Sequence, residues 1–236
     1  MDLTIVTCNH NTPKLIRNLV KSVNNTCESV PKILVVDTGH HPTPYQEMAI
    51  GASYWWHPDR SHGDAVNGAM SKKSIKTRYM LLVDSDVLFL KDIKKPFEKF
   101  KESGVALMGE VVGDRGGKSL YPRVNPWFCF IDLDTIKAND IEFYDQYRTK
   151  EIKSEKIYDI GSTFYEDILG KGLEIGDAKM EGKYFKHYEG MSWRVQKYDP
   201  SNGDTDIDVG GTHDNKALYE YGLMVAKQYE IDIKEL

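Results

Sequence analysis

The sequence predicts an α/β fold, a mostly parallel sheet flanked by helices, forming a single domain over residues 1–236. Two observations predict it. In the first half, apolar runs of strand length alternate with segments of helical periodicity, and that alternation implies parallel strands joined by crossover helices. Three of those strands then end in polar groups: Thr7-Cys8-Asn9-His10-Asn11, Asp37-Thr38-Gly39 and Asp84-Ser85-Asp86. In an open parallel sheet, ligands bind at the carboxyl ends of the strands.

Taken in order, Leu3–Cys8 reads as a strand. Thr12-Pro13 caps and starts a helix, since Pro is favoured at the first helical position. Leu15, Ile16, Leu19, Val20 and Val23 then recur at helical spacing. Lys32–Asp37 is the second strand. Pro42 and Pro44 break the chain, and Tyr45–Ile50 is read as a short helix. Ala52–His57 is the third strand, Ser61–Ile75 a helix and Tyr79–Val83 the fourth strand. The second half is less regular: a helix over Asp92–Ser103, a strand over Val105–Val112, a loop at Asp114–Gly117 and a strand over Trp127–Asp132. A helix follows over Asp159–Leu169, then a polar loop over Trp193–Gly211 and a closing helix over Thr212–Tyr229. No linker divides the chain. Residues 1–112 and 113–236 are read as the regular and the less regular half of that one domain.

Bulk properties restrict the function. Hydrophobic content of 40% and charged content of 28% over 236 residues suit a globular protein with a sizeable core. A net charge of −5 argues against a broad nucleic-acid-binding surface. Three widely spaced cysteines, Cys8, Cys27 and Cys129, suggest reduced thiols and a cytoplasmic setting, and none has zinc-site spacing. Met1-Asp2 does not open a signal peptide, and no run approaches the ~18 apolar residues of a membrane span. Membrane contact is expected to be peripheral.

The run Tyr79-Met-Leu-Leu-Val-Asp84-Ser85-Asp86-Val-Leu-Phe-Leu90 carries most information. A buried carboxylate costs several kcal/mol unless it is paired or bound to a metal. Side chains two apart in extended backbone share a face, so Asp84 and Asp86 are expected to address one ligand together. Carboxylate oxygens suit Mg²⁺ or Mn²⁺ carrying phosphates. The competing reading is that both are turn or cap residues.

Taken together, these pieces resemble the GT-A fold and, within it, the family 2 glycosyltransferases. Leu3-Thr-Ile-Val-Thr-Cys-Asn-His10, a helix, then Ile33-Leu-Val-Val-Asp-Thr-Gly39 resembles the family's opening. Gly63-Asp-Ala-Val-Asn67, followed by a helix and Met80-Leu-Leu-Val-Asp-Ser-Asp86, resembles its approach to the Asp-x-Asp motif. The likeness covers about the first ninety residues well and the rest loosely, and it implies a nucleotide-sugar-binding half over residues 1–112 and an acceptor-binding and catalytic half over 113–236. It implies that Asp37 contacts the nucleotide base, that Asp84, beside Ser85, holds ribose or orients the metal shell, and that Asp86 ligates a metal bridging the diphosphate. Thr7, Asn9 and Asn67 fall in matching donor-binding positions. Around Arg60-Ser-His-Gly-Asp64 the chain departs from the commonest pattern, leaving Arg60 and His62 as alternative supports for the diphosphate.

Downstream, Phe164-Tyr-Glu-Asp167 resembles the pair that carries the base in inverting members. Asp167 would deprotonate the acceptor hydroxyl, with Glu166 its neighbour; a solvated acidic helix face is the plain alternative. His187 would complete the metal shell, with His213 competing for that role or capping the last helix. Asp204-Thr-Asp-Ile-Asp208 lacks the Gly and Glu of a calcium loop and reads as a mobile loop. The aromatics Tyr54, Trp55, Trp56, Trp127, Phe128 and Trp193 are either sugar platforms or core, with Trp55 and Trp56 expected to divide between core and surface.

The implied activity is metal-dependent transfer, with inversion, from a nucleoside-diphosphate sugar to a hydroxyl of a glycan, a lipid-linked sugar or a small molecule. A haloacid dehalogenase-type phosphohydrolase would place its nucleophile motif on its first strand, whereas three strands precede this one. A sugar nucleotidyltransferase would show a Gly-rich basic loop where Asn9-His-Asn-Thr-Pro13 stands. A non-catalytic sugar-binding relative would share the fold.

Overall fold

Hydrophobic alternation in the chain resolves into eleven strands and six helices among the described residues. The computed structural model describes residues 1–10, 12–39, 51–58, 61–71, 75–113, 122–143, 161–188 and 215–235, with side chains of the last helix from 223 onward. The elements are β1 (Leu3–Asn9), α1 (Pro13–Thr26), β2 (Lys32–Asp37), β3 (Ser53–Trp56), α2 (His62–Ser71), β4 (Tyr79–Val83) and β5 (Val87–Phe89). They continue with α3 (Lys94–Ser103), β6 (Leu107–Gly109), β7 (Val111–Val112), β8 (Arg123–Val124), β9 (Phe128–Asp132) and α4 (Leu133–Ala138). Last come α5 (Ser162–Gly170), β10 (Ile175–Asp177), β11 (Phe185–His187) and α6 (Asn215–Glu235). The expected helix at Tyr45–Ile50, the loops at Asp114–Gly117 and Trp193–Gly211, and Asn11, Arg60, Trp193 and His213 lie outside the described residues.

Seven strands form the central sheet in the order β10-β6-β9-β4-β1-β2-β3. β3, β2, β1 and β4 run parallel, β9 lies antiparallel to β4 and β6, and β10 is parallel to β6. The sheet is therefore mostly parallel, as expected, and takes strands from both halves of the chain. Parallel strands are covered on both faces. On one face Leu3, Ile5, Val35 and Leu81 pack with Ile16, Leu19 and Val23 of α1 and Phe97 and Phe100 of α3. On the other, Val6, Val36 and Leu82 pack with Ala65, Val66 and Ala69 of α2, Ile136 of α4 and Phe164 and Ile168 of α5. Each fully buried aliphatic side chain contributes about 1.5–3 kcal/mol relative to exposure.

Local chemistry explains where the observed boundaries differ from the expected ones. Thr12 occupies the position before α1 without a side-chain cap. Its hydroxyl donates instead to Asn9 Oδ1 at 3.0 Å. The helix expected from Asp92 begins at Lys94, whose N–H donates to Asp92 Oδ1 at 2.6 Å. The helix expected from Asp159 begins at Ser162, after Gly161 in the left-handed region at φ 87°. α4 was not anticipated; Asp132 caps it by accepting from Asp134 N–H. The strand expected over Val105–Val112 is broken at Glu110. A Cβ on Gly109 would stand 2.8 Å from Val124 Cγ1 and 2.9 Å from Cys129 Cβ, so the chain crosses there at a distance only glycine allows. Beyond it, β7 leaves the main sheet and pairs with β8.

Trp55 and Trp56 do divide between the two sides. Trp55 packs against the core and over Gly68, where an added Cβ would lie 2.7 Å from its ring. Trp56 is 40% exposed and donates through Nε1 to Gly39 O.

Candidate active site

The site begins where β4 stops. Met80–Val83 are buried on both faces, and the strand cannot continue because Asp84-Ser85-Asp86 turns back. Asp84 N–H donates to Trp127 O at 3.2 Å, and Val87 N–H returns to Asp84 O at 3.3 Å. The expectation that extended backbone aligns the two carboxylates is corrected: a turn, not a strand, brings them together. β5 then pairs antiparallel with β11, setting His187 opposite Val87. Tyr188 N–H donates to Asp86 O at 3.0 Å, tying the two segments at the site itself.

His187 Nε2 consequently lies 3.2 Å from Asp86 Oδ1 and 3.7 Å from Asp84 Oδ2. One ligand atom from each of the three residues falls within 4.8 Å of the others. Asp86 is 2% exposed and Ser85 is also buried, while Asp84 is half-buried. Burial raises the Asp84 carboxyl above the usual carboxylate range; nearby His62 opposes this, Asp86 adds to it and His187 opposes it. Burial pulls the His187 imidazole down. The hydrogen bond and charge of Asp86, with Asp84 and Glu181, outweigh that and raise it overall. Two carboxylate oxygens and one imidazole nitrogen in a buried setting form a donor set that could hold a divalent metal ion. His187 Nδ1 is buried with no hydrogen-bond partner among the described residues. The ring is held by Trp127, stacked at 4.9 Å between centroids and 23° between planes. Arg123 lies 6.0 Å from the centre of the same indole.

A second cluster sits at the ends of β1 and β2. Register sets Thr7 beside Val83 and Asn9 beside Asp37, so these residues share the sheet edge with Asp84. Asp37 is fully buried. Its Oδ1 accepts from Asn9 Nδ2 at 3.1 Å and from Gly39 N–H at 3.1 Å, and Oδ2 accepts from the Tyr54 hydroxyl at 2.6 Å. Asn9 Oδ1 in turn accepts from Thr12 N–H and hydroxyl. Thr7 Oγ1 is buried with no hydrogen-bond partner among the described residues. Tyr54, expected as a sugar platform or core residue, is instead brought to Asp37 by its place beside Val35 in the β2–β3 register.

The remaining candidates are placed as follows. Asn67 on α2 faces a groove of about 730 Å³ toward α4, and its Oδ1 accepts from Phe143 N–H at 2.6 Å. His62 opens α2 within electrostatic reach of Asp84. Glu166 and Asp167 are half-buried on α5, whose Phe164 and Ile168 anchor it in the core. α5 packs on β8, which carries Arg123 toward Trp127. Two groups lay beyond sequence reasoning: Trp127 as the wall behind His187, and Lys186 and Tyr188, which flank His187 and contact Asp232 of α6.

A mostly parallel sheet with helices on both faces, ending in an acidic motif at its carboxyl edge, is the architecture of the GT-A fold. The glycosyl transferase family 2 model matches residues 4–164, more than half of the chain, and the protein belongs to that family. Solved structures agree on the fold. TarS 1–349 of S. aureus is 15% identical, with 97% of this chain and 72% of that chain covered at a TM-score of 0.53. GlyE of Streptococcus pneumoniae TIGR4 is 12% identical, with 98% and 64% covered at 0.53. The mannosyltransferase PcManGT of Pyrobaculum calidifontis, solved with GDP-Man and Mn²⁺, is 10% identical, with 98% and 75% covered at 0.50. A search of curated proteins gives no match. Among the described residues, no helix is long and apolar enough to cross a membrane.

Proposed function

We propose that the protein is a metal-dependent, inverting glycosyltransferase that moves a sugar from a nucleoside diphosphate to an acceptor hydroxyl. The observation that carries this reading is the convergence of Asp84, Asp86 and His187 at the carboxyl edge of the sheet. A divalent ion held there, Mn²⁺ or Mg²⁺, would neutralise the charge that develops on the departing diphosphate. PcManGT with GDP-Man and Mn²⁺, and TarS with UDP, support a donor of this class.

Residues 1–112 supply the donor half. Asp37, preset by Asn9 and Tyr54, accepts from the base or ribose, with Thr7 and Ser85 lining the same edge; Asn67, turned toward α4, is left out of this set. Residues 113–236 supply the acceptor half. Asp167, with Glu166 beside it, takes the proton of the acceptor hydroxyl as that oxygen bonds to the anomeric carbon. The bond from that carbon to the phosphate oxygen breaks on the opposite face, so the configuration inverts. The acceptor is a glycan, a lipid-linked sugar or a small molecule. Free Cys8, Cys27 and Cys129 support a reducing, cytoplasmic setting.

The test is a panel of nucleotide sugars screened by thermal stabilisation with and without Mn²⁺. A donor that stabilises only with Mn²⁺ supports the reading. Absence of stabilisation by every nucleotide sugar refutes it.

A further inference from the structure

We propose that Asp232 in the last helix is a positioning residue for the metal site, acting through the strand that presents His187. The inference rests on the reading of Asp84, Asp86 and His187 as metal ligands. Side chains alternate along a strand, so the β5–β11 ribbon has two faces. Register pairs Phe185 with Phe89, Lys186 with Leu88 and His187 with Val87. Val87, Phe89 and Phe185 point into the core, where Phe185 stacks on Phe128 at 4.1 Å and 5°. His187 shares that inner side.

The outer side carries Leu88, Lys186 and Tyr188, and α6 covers it. Leu88 and Tyr188 join Leu15, Tyr229 and Ile233 in a separate apolar cluster. Tyr188 meets Tyr229 edge-on, with centroids 4.8 Å apart. Within this contact Asp232 Oδ2 accepts from Lys186 Nζ at 2.5 Å and from the Tyr188 hydroxyl. Gln228 Nε2 donates to Asp232 Oδ1 at 2.7 Å and fixes the carboxylate from its own helix. Both neighbours of His187 are therefore anchored to one carboxylate.

The site needs such an anchor. A metal-ligating histidine is ordinarily oriented by a hydrogen bond from its second ring nitrogen. His187 Nδ1 is buried without one among the described residues. Its ring is steered by Trp127, and its backbone by the pairing with β5, with His187 N–H reaching Glu181 Oε1 at 3.3 Å. A two-stranded ribbon of three-residue strands is marginal without support on its faces. α6 supplies the outer support, and Asp232 fixes the strand's position along it.

The experiment is a titration of the full chain with Mn²⁺ alone, read from the electron paramagnetic resonance of the free ion. Asp232→Ala is expected to weaken Mn²⁺ binding about tenfold or more, the range for residues that orient a ligand. Asp232→Glu should recover part of the loss. Tyr188→Phe and Lys186→Met, each removing one tether, should give smaller losses and decide the matter if Asp232→Ala does not fold. A lower melting temperature with unchanged Mn²⁺ affinity would mark Asp232 as merely structural and overturn the inference. If the wild type binds no Mn²⁺, or His187→Ala binds it equally well, the metal reading falls and the inference with it. Unchanged affinity in the Asp232 and tether variants, against a wild type that depends on His187, removes the positioning role alone.

Discussion

His187 Nε2 stands 3.2 Å from Asp86 Oδ1, although the two residues come from opposite halves of the chain. The contact exists because β11 pairs with β5 directly after the Asp84–Asp86 turn. The first prediction follows from its chemistry. Asp86→Ala and His187→Ala should each weaken Mn²⁺-supported donor binding at least tenfold in calorimetry. Equal affinity in either variant would mean that this residue is not a ligand.

Asp84 gives a prediction about pH. Burial raises its carboxyl above the usual range, with Asp86 adding to the effect. A carboxyl raised in the folded state binds protons there more readily than in the unfolded chain. The charged form therefore costs stability above the folded pKa, and the cost vanishes below the unfolded value of about 3.9. Asp84→Asn removes that charge. Without metal it should raise the melting temperature at pH 8. The gain should shrink as pH falls through the raised pKa. A variant less stable than wild type at pH 8 would contradict this.

Asp132 has the opposite sign. Its burial would raise the carboxyl, but Arg78 pairs with it through Nε at 3.1 Å and Nη2 at 2.7 Å, and Thr135 also donates to it. The net effect lowers it. The pair's stabilisation is thus present above the unfolded pKa and disappears as pH falls through the lower folded value. Asp132→Asn keeps a capping oxygen for α4 and should cost up to about 1 kcal/mol at pH 7, since Arg78 is half exposed. Thermal melts of both proteins should converge once pH falls below that lowered folded value. A gap of the same size at both pH values would show that charge is not its source.

Gly109→Ala tests the crossing from β6 to β7. The new methyl would meet Val124 and Cys129 at under 3 Å, so the fold should lose about 1–3 kcal/mol. Chemical denaturation measures this directly, and a neutral substitution would mean that β8 can move aside.

The parallel half of the fold was legible because each strand is an apolar run and each helix a periodic one. The Asp84–Asp86 motif was legible as unusual charge at the end of such a run. Asp37 and Asn9 stood out as polar groups at strand ends, while their roles, and His187 itself, came from resemblance to a family. What was not legible depends on pairing between distant segments. β5 and β11 are three residues each, too short to show alternation, so the ribbon that carries His187 was invisible. Tyr54 reaches Asp37 only through strand register, and Trp127 reaches His187 only through the turn before β9. The expected Val105–Val112 strand failed because Gly109 marks a close crossing that sequence periodicity does not report.

Asp167→Asn tests the proposed base. The substitution keeps size and removes basicity, so transfer should fall by roughly 10²-fold or more while the donor dissociation constant holds. Near-normal transfer would eliminate Asp167. A product that retains the donor's anomeric configuration would eliminate single displacement.

The most direct measurement of the central claim is the rate of sugar transfer from a nucleotide-sugar panel after exhaustive chelation and again after Mn²⁺ is restored. The account predicts that chelation abolishes transfer, that Mn²⁺ restores it in the wild type, and that Asp86→Ala stays inactive in both conditions. Full transfer by the chelated wild type would contradict a metal centre at Asp84, Asp86 and His187.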